Sequence, residues 1–173
     1  FRPVQVDDVT NHKMHSEYYE VPKETADLIN ETKKEGKRVI AVGTTSVRTL
    51  ESLYYIGLLL SQGIDSHEEL KVTQWMPYNQ TKEISVEESM DNILRYLDKI
   101  QEDVIKADTQ IIILPGYQFH IVKGLITNFH QPKSTLLLLI SAFIGDDWKR
   151  VYEYAMTHDF RFLSYGDSSL LLR

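Results

Sequence analysis

Two short, uninterrupted apolar runs, Val39-Ile40-Ala41-Val42 and Ile111-Ile112-Ile113-Leu114, constrain this chain more than any other feature. Each is followed by a Gly-containing turn. Runs of this kind read as strands buried on both faces of a parallel sheet, because no position is left for water. Helical patterns lie between them, so the class is α/β, with a mixed, largely parallel sheet flanked by helices. A helix is predicted from Pro22 to about Glu35, with Gly36 ending it. A second follows Gly43-Thr44-Thr45 and carries Val47, Leu50, Leu53 and Tyr54 at helical spacing. The third has the strongest pattern. Ser85 and Glu88 form a capping box, and Val86, Met90, Ile93, Leu94, Leu97, Ile100 and Val104 make one apolar stripe. A fourth begins near Pro132 to Thr135 and buries Leu136 to Leu139; a fifth spans Trp148 to Thr157. Short strands are predicted at Arg2–Val6, Glu17–Val21, Val72–Met76, Leu125–Asn128 and Ser169–Leu172. No repeat or linker interrupts the 173 residues, which suit one domain.

Several function classes drop out on composition. There is no Cys, hence no thiolate zinc site, disulfide or cysteine nucleophile in this segment. The longest apolar run, near Leu136 to Ile144, falls far short of the roughly 20 residues a membrane span needs. No signal peptide opens the chain, and a soluble cytoplasmic protein is expected. Phe1-Arg2-Pro3 is not a usual start, so a piece of a longer polypeptide is expected too. The net charge of −6 argues globally against nucleic acid, because phosphate contacts want Lys and Arg. The charge is uneven, however: Lys82 to Asp108 holds eight acids and four bases, whereas Lys33, Lys34, Lys37 and Arg38 form a basic cluster. An RNA partner is permitted, not required.

Two places share one construction: apolar strand, polar turn, helix. They are Val42-Gly43-Thr44-Thr45-Ser46-Val47-Arg48 and Ile126-Thr127-Asn128-Phe129-His130-Gln131-Pro132-Lys133-Ser134-Thr135. A helix N-terminus offers free N–H groups and partial positive charge to an anion. Thr44, Thr45, Arg48, Asn128, Lys133 and Ser134 add donors, and ligands in open α/β sheets bind beyond the carboxyl ends of the strands. The competing reading is that these hydroxyls merely cap helices. Neither a P-loop nor a dinucleotide fingerprint is present. His130 falls inside the second turn, where a near-neutral imidazole suits an acid or base; the alternative is a hydrogen bond within the turn. Asp167 suits orienting a His or binding ribose hydroxyls, or simply a turn after Gly166. Tyr117 and Tyr165 suit stacking on a base, or half-buried packing. His12 and His15 stand three apart without a second cluster, and no metal is assigned.

These segments resemble the S-adenosylmethionine:tRNA ribosyltransferase-isomerase (QueA) family. The likeness runs through Val42 to Glu51, through Ile126 to His130 with Pro132 to Leu137 and Ser141 to Phe143, and through His12 to Glu17, Pro115 to Phe119, and Phe160 to Asp167. The resemblance implies a C-terminal α/β part, without the β-barrel that the family inserts upstream. It implies transfer and isomerisation of the ribosyl moiety of S-adenosylmethionine onto an aminomethyl-deazaguanine at the tRNA wobble position. The products would be epoxyqueuosine, adenine and methionine. The implied partners are tRNA and S-adenosylmethionine, with no further cofactor. His130 would transfer a proton, with Asp167 as its partner or as a ribose ligand; the other polar turn residues and the two tyrosines would bind substrate. Residues 57 to 110 exceed the family's usual link, and the upstream half is missing, so little activity is expected of the chain alone. A truncated, non-catalytic RNA- or nucleoside-binding paralogue, and an interaction domain using the helix after Ser85, are the alternatives.

Overall fold

Ser85 starts the helix with the strongest pattern, and it does so as its residues require. In the computed structural model, which describes residues 12–131 and 134–173, the Ser85 hydroxyl accepts from the Glu88 N–H at 3.0 Å. Val86, Met90, Ile93 and Leu97 are buried beneath it. The helix, α4 (Val86–Ile100), ends at Gln101, whose φ of +58° breaks the repeat. Val104 therefore leaves the helical stripe and opens a strand, β4 (Val104–Thr109).

The remaining elements are β1 (Glu17–Pro22), α1 (Lys23–Lys34), β2 (Val39–Val42), α2 (Thr44–Ser61), β3 (Lys71–Val72) and α3 (Met76–Asn79) before α4, then β5 (Val122–Asn128), α5 (Thr135–Ile144), α6 (Asp147–Thr157) and β6 (Ser168–Leu172). The expected strand at Val72–Met76 is shorter: after Val72 the chain turns, the Met76 N–H donating to the Thr73 carbonyl at 3.2 Å, and enters α3. The expected strand Arg2–Val6 lies outside the described residues.

The α/β class with flanking helices holds, in two three-stranded mixed sheets ordered β1-β4-β3 and β2-β5-β6. In each, one neighbour pair is parallel and one antiparallel. That is less parallel than expected. The reason lies in Ile111–Leu114, which is not a strand. The run is buried at Ile111, Ile112 and Ile113, but apart from the Ile112 N–H, which donates to the Gln74 carbonyl at 3.4 Å, side chains rather than a ladder serve its backbone. Ile111 N–H donates to Thr109 Oγ1 at 3.0 Å, Arg48 Nε donates to the Ile111 carbonyl at 3.1 Å, and the Tyr78 hydroxyl serves the Ile112 carbonyl at 3.1 Å and the Leu114 N–H at 2.9 Å. Apolar periodicity cannot tell such a segment from a strand. The strand beside β2 is β5.

Helix α2 is central. It packs on both sheets and on α4. At the α2–α4 crossing, Gly57 lies so close to Ser89 that a Cβ would stand 2.1 Å from Ser89 Oγ. Ser89 Oγ donates to the Tyr54 carbonyl at 2.9 Å, and Asn92 Nδ2 to the Gly57 carbonyl at 3.1 Å. The apolar stripe of α4 is thus spent inside the molecule, against α2 and α1, which removes the basis for an interaction domain built on that face.

Candidate functional site

Parallel pairing sets the site's geometry. Val42 of β2 lies opposite Ile126 of β5, and the Gly43 N–H donates to the Ile126 carbonyl at 2.8 Å. The Gly43–Thr45 turn and the turn after Asn128 therefore leave the sheet at the same, carboxyl end.

The two turns differ in their caps. At the first, Gly43 takes a φ of +89° and no side chain caps α2. Thr44 is buried and Thr45 exposed, and Ser46 turns back to the Val42 carbonyl at 2.8 Å. At the second, Ser134 is a cap: its hydroxyl accepts from Leu137 N–H at 3.3 Å and donates to the Gln131 carbonyl at 2.9 Å. Lys133 lies outside the described residues.

Arg48 does not cover the first turn. Its side chain is buried beneath it, with Nη1 2.8 Å from Glu17 Oε1 and Nε on the Ile111 carbonyl. Nη2 is buried and has no hydrogen-bond partner among the described residues. Burial lowers the guanidinium's pKa and Glu17 opposes that. Arg48 joins α2 to the start of β1 and to the end of β4, a structural bridge rather than an exposed anion clamp.

His130 sits half-buried in the second turn. Its Nε2 is 3.0 Å from Thr127 Oγ1, and its backbone N–H donates to the Tyr152 hydroxyl at 3.0 Å. Burial lowers the imidazole pKa, which favours the neutral ring. Asp167 is not its partner. The Asp167 carboxylate accepts from the Arg161 N–H at 2.7 Å and from Arg161 Nη2 at 3.1 Å, and this pairing holds its pKa below the usual range. The fork closes a tight loop. Asn128 Nδ2 donates to the Gly166 carbonyl at 3.1 Å, and Leu163 N–H to the Phe129 carbonyl at 2.9 Å. A Cβ on Gly166 would stand 2.3 Å from the Arg161 carbonyl oxygen. The loop is thus clamped beside the His130 turn, with Tyr165 at its tip, 98% exposed.

Tyr117 is the reverse case. It is 5% exposed, so its ring offers no face to a base. Its hydroxyl donates to Glu51 Oε2 at 2.9 Å. Glu51, which residue-by-residue reading passed over, is fully buried and also accepts from the backbone N–H groups of His120, Ile121 and Val122 at 2.8–3.0 Å. Burial raises its pKa, against these four donors. It fixes the start of β5 to α2, and so sets one turn relative to the other. A signal did exist: Glu51 stands on the apolar stripe of α2, between Val47 and Tyr54. Beside it His120 stacks on Tyr54, with centroids 3.6 Å apart.

Residues 1–171 match the sequence model of the family described as queuosine biosynthesis protein. The chain belongs to that family. A crystal structure of S-adenosylmethionine tRNA ribosyltransferase from Thermotoga maritima matches it with a TM-score of 0.59 and 31% sequence identity. The match covers 90% of this chain and 40% of that one, so the chain spans less than half of that protein's length. Among the described residues, no three His, Asp or Glu gather as metal ligands, and no helix is long and apolar enough to cross a membrane.

Proposed function

We propose that this chain forms part of a cytoplasmic ribosyltransferase-isomerase that moves the ribosyl moiety of S-adenosylmethionine onto the aminomethyl-deazaguanine at the tRNA wobble position and isomerises it, giving epoxyqueuosine and releasing adenine and methionine. The observation that carries this reading, within a queuosine family chain, is the shared carboxyl end of β2 and β5, where both polar turns emerge. A sulfonium acidifies the neighbouring ribose C–H, so the first step calls for a neutral base. His130, kept neutral by burial and held by Thr127, suits that role. The uncapped first turn of α2, with Thr44 and Thr45, suits an anionic group such as the methionine carboxylate. Asn128, Lys133 and Ser134 belong to the facing turn, and Tyr165 suits stacking on a base. S-adenosylmethionine serves as substrate, and the reading needs no other cofactor.

The test is adenine release from S-adenosylmethionine by the intact family protein carrying this chain, with tRNA bearing the precursor base. Release that depends on that tRNA supports the reading; none defeats it. Residues 1–173 alone are expected to release adenine far more slowly. The alternative is an RNA- or nucleoside-binding paralogue without turnover. Binding of S-adenosylmethionine by the intact protein without adenine release would mark it.

A further inference from the structure

Three segments meet the carboxyl end of β5, and the strand order β2-β5-β6 ranks them. They are the Gly43–Thr45 turn, the His130 turn and, outermost, the loop that leads from α6 into β6. The apolar side chains of this loop divide into two sets. Phe160 and Phe162 turn inward onto Phe129, with ring centroids 5.5 and 5.4 Å from it. Leu163 and Tyr165 turn outward, 48% and 98% exposed. Leu163 holds a φ of +71°, a left-handed conformation that a Cβ disfavours and that persists only where the surroundings enforce it. The Leu163 N–H is tied to the Phe129 carbonyl, and the Leu163 carbonyl accepts from the Gly166 N–H at 2.9 Å. The second bond closes a β-turn with Ser164 and Tyr165 at its corner. The Asp167 N–H donates to the Arg161 carbonyl at 2.8 Å, and the Arg161–Asp167 fork locks the two ends of the loop. Phe160 and Phe162 seat the loop, so its seating needs neither outward side chain, yet both are held on a fixed corner.

We infer that Leu163 and Tyr165 form a platform on which an unpaired RNA base adjoining the modified one stacks, with Arg161 and Asp167 as its positioning residues. The inference rests on the proposed reaction, because it takes RNA as the substrate that reaches this edge. Two observations select an RNA base over the adenine of S-adenosylmethionine. The loop lies one strand beyond the place where the two polar turns face each other, so a ligand must extend past the reacting group to meet it. And the Tyr165 ring stands free of any wall. A small ligand is held by burying most of its surface in a pocket, whereas bases of single-stranded RNA stack on exposed aromatic side chains. Asp167 thereby acts through Tyr165 and not through His130.

The intact family protein carrying this chain is titrated with anticodon stem-loop RNA bearing the precursor base and, separately, with S-adenosylmethionine. Equilibrium binding decides the inference, and adenine release decides the reaction. Tyr165→Ala should weaken RNA binding about 5- to 100-fold, the range of one base–aromatic stack, while Tyr165→Phe keeps it within about twofold. Neither should change S-adenosylmethionine binding. Asn tolerates the left-handed backbone, so Leu163→Asn should keep the thermal midpoint and still weaken RNA binding. Asp167→Ala should weaken RNA binding by itself and add little to Tyr165→Ala, a non-additivity that separate roles would not give. Three results would overturn the inference. One is RNA-dependent adenine release with unaltered RNA affinity in Tyr165→Ala, which would leave the reaction standing and the platform without a role. Another is a loss of S-adenosylmethionine binding with RNA binding unchanged, which would make adenine the occupant. The last is an equal loss of RNA binding in the Ala and Phe variants, which would make the hydroxyl, not the ring face, the contact.

Discussion

His130 and His120 show how burial gives two imidazoles different work. Both have lowered pKa values, chiefly through desolvation. His130 lies in a turn at the sheet's carboxyl end, where a neutral ring suits the base of the proposed reaction. In the intact family protein His130→Ala should cut the maximal rate about 10²- to 10⁴-fold with a smaller change in substrate affinity. The acid limb of the rate profile should lie below the ordinary histidine pKa and vanish in the variant; steady-state kinetics across pH checks both. His120 lies against Tyr54, with Lys123 and Lys33 adding to the effect of burial, and its pKa falls from 6.5 to about 4. Between those values the unfolded chain holds a proton that the folded chain does not. The stability is therefore full above pH 6.5 and is lost as the pH falls toward 4. The slope is at most about 1.4 kcal/mol per pH unit, and less because the ring is partly exposed. His120→Phe keeps the stack and should flatten this part of the stability curve. Urea unfolding at several pH values, compared with the unsubstituted chain, measures the difference.

Among the elements, α2 and α4 depend on one another through small residues. Ser89 fits against Gly57 because neither carries bulk, and the hydroxyl takes a carbonyl of the facing helix. Gly57→Ala would normally favour a helix, by about 1 kcal/mol. Here it should destabilise by about 2 kcal/mol, because the new Cβ meets the Ser89 backbone and must push two fully packed helices apart. A lower urea midpoint with an unchanged slope would confirm this, and unaltered stability would show that the crossing is looser than described. The helix boundaries were readable because caps are local: Ser85 at α4 and Ser134 at α5 cap as their sequences suggest. The absence of a cap at α2 was not readable, since Thr44 and Thr45 are cap-forming residues that lie one and two places too far along.

At the scale of the molecule, Arg48 joins the layers. Its guanidinium reaches Glu17 at the start of β1 and the carbonyl that follows β4, from a helix that also packs on β2 and β5. Arg48→Met removes these contacts without leaving a large void. It should cost about 2–3 kcal/mol, with Glu17 only partly dehydrated and so only partly stranded. Raised salt should reproduce only a small part of the loss, because the Arg48 end of the pair is buried and its bond to the Ile111 carbonyl is not an ion pair. Thermal unfolding at low and high salt separates this structural role from an exposed phosphate clamp, whose removal would scarcely alter stability.

The sequence alone determined the α/β class, the helices α1, α4 and α6, the two polar turns and the family, because caps, helical periodicity and motif blocks are local in the chain. It placed His130 and Asn128 in the second turn for the same reason. Only the tertiary structure decided which contacts those residues make. Asp167 pairs with Arg161 because the loop closes on itself, and Tyr117 is spent on Glu51, 66 residues away. Ile111 to Leu114 reads as a strand until Arg48, Thr109 and Tyr78 are seen to take its hydrogen bonds. The outward set of Leu163 and Tyr165 was hidden for a related reason. The apolar residues of their loop read alike in sequence, and only the packing shows that Phe160 and Phe162 seat it while the other two stand free.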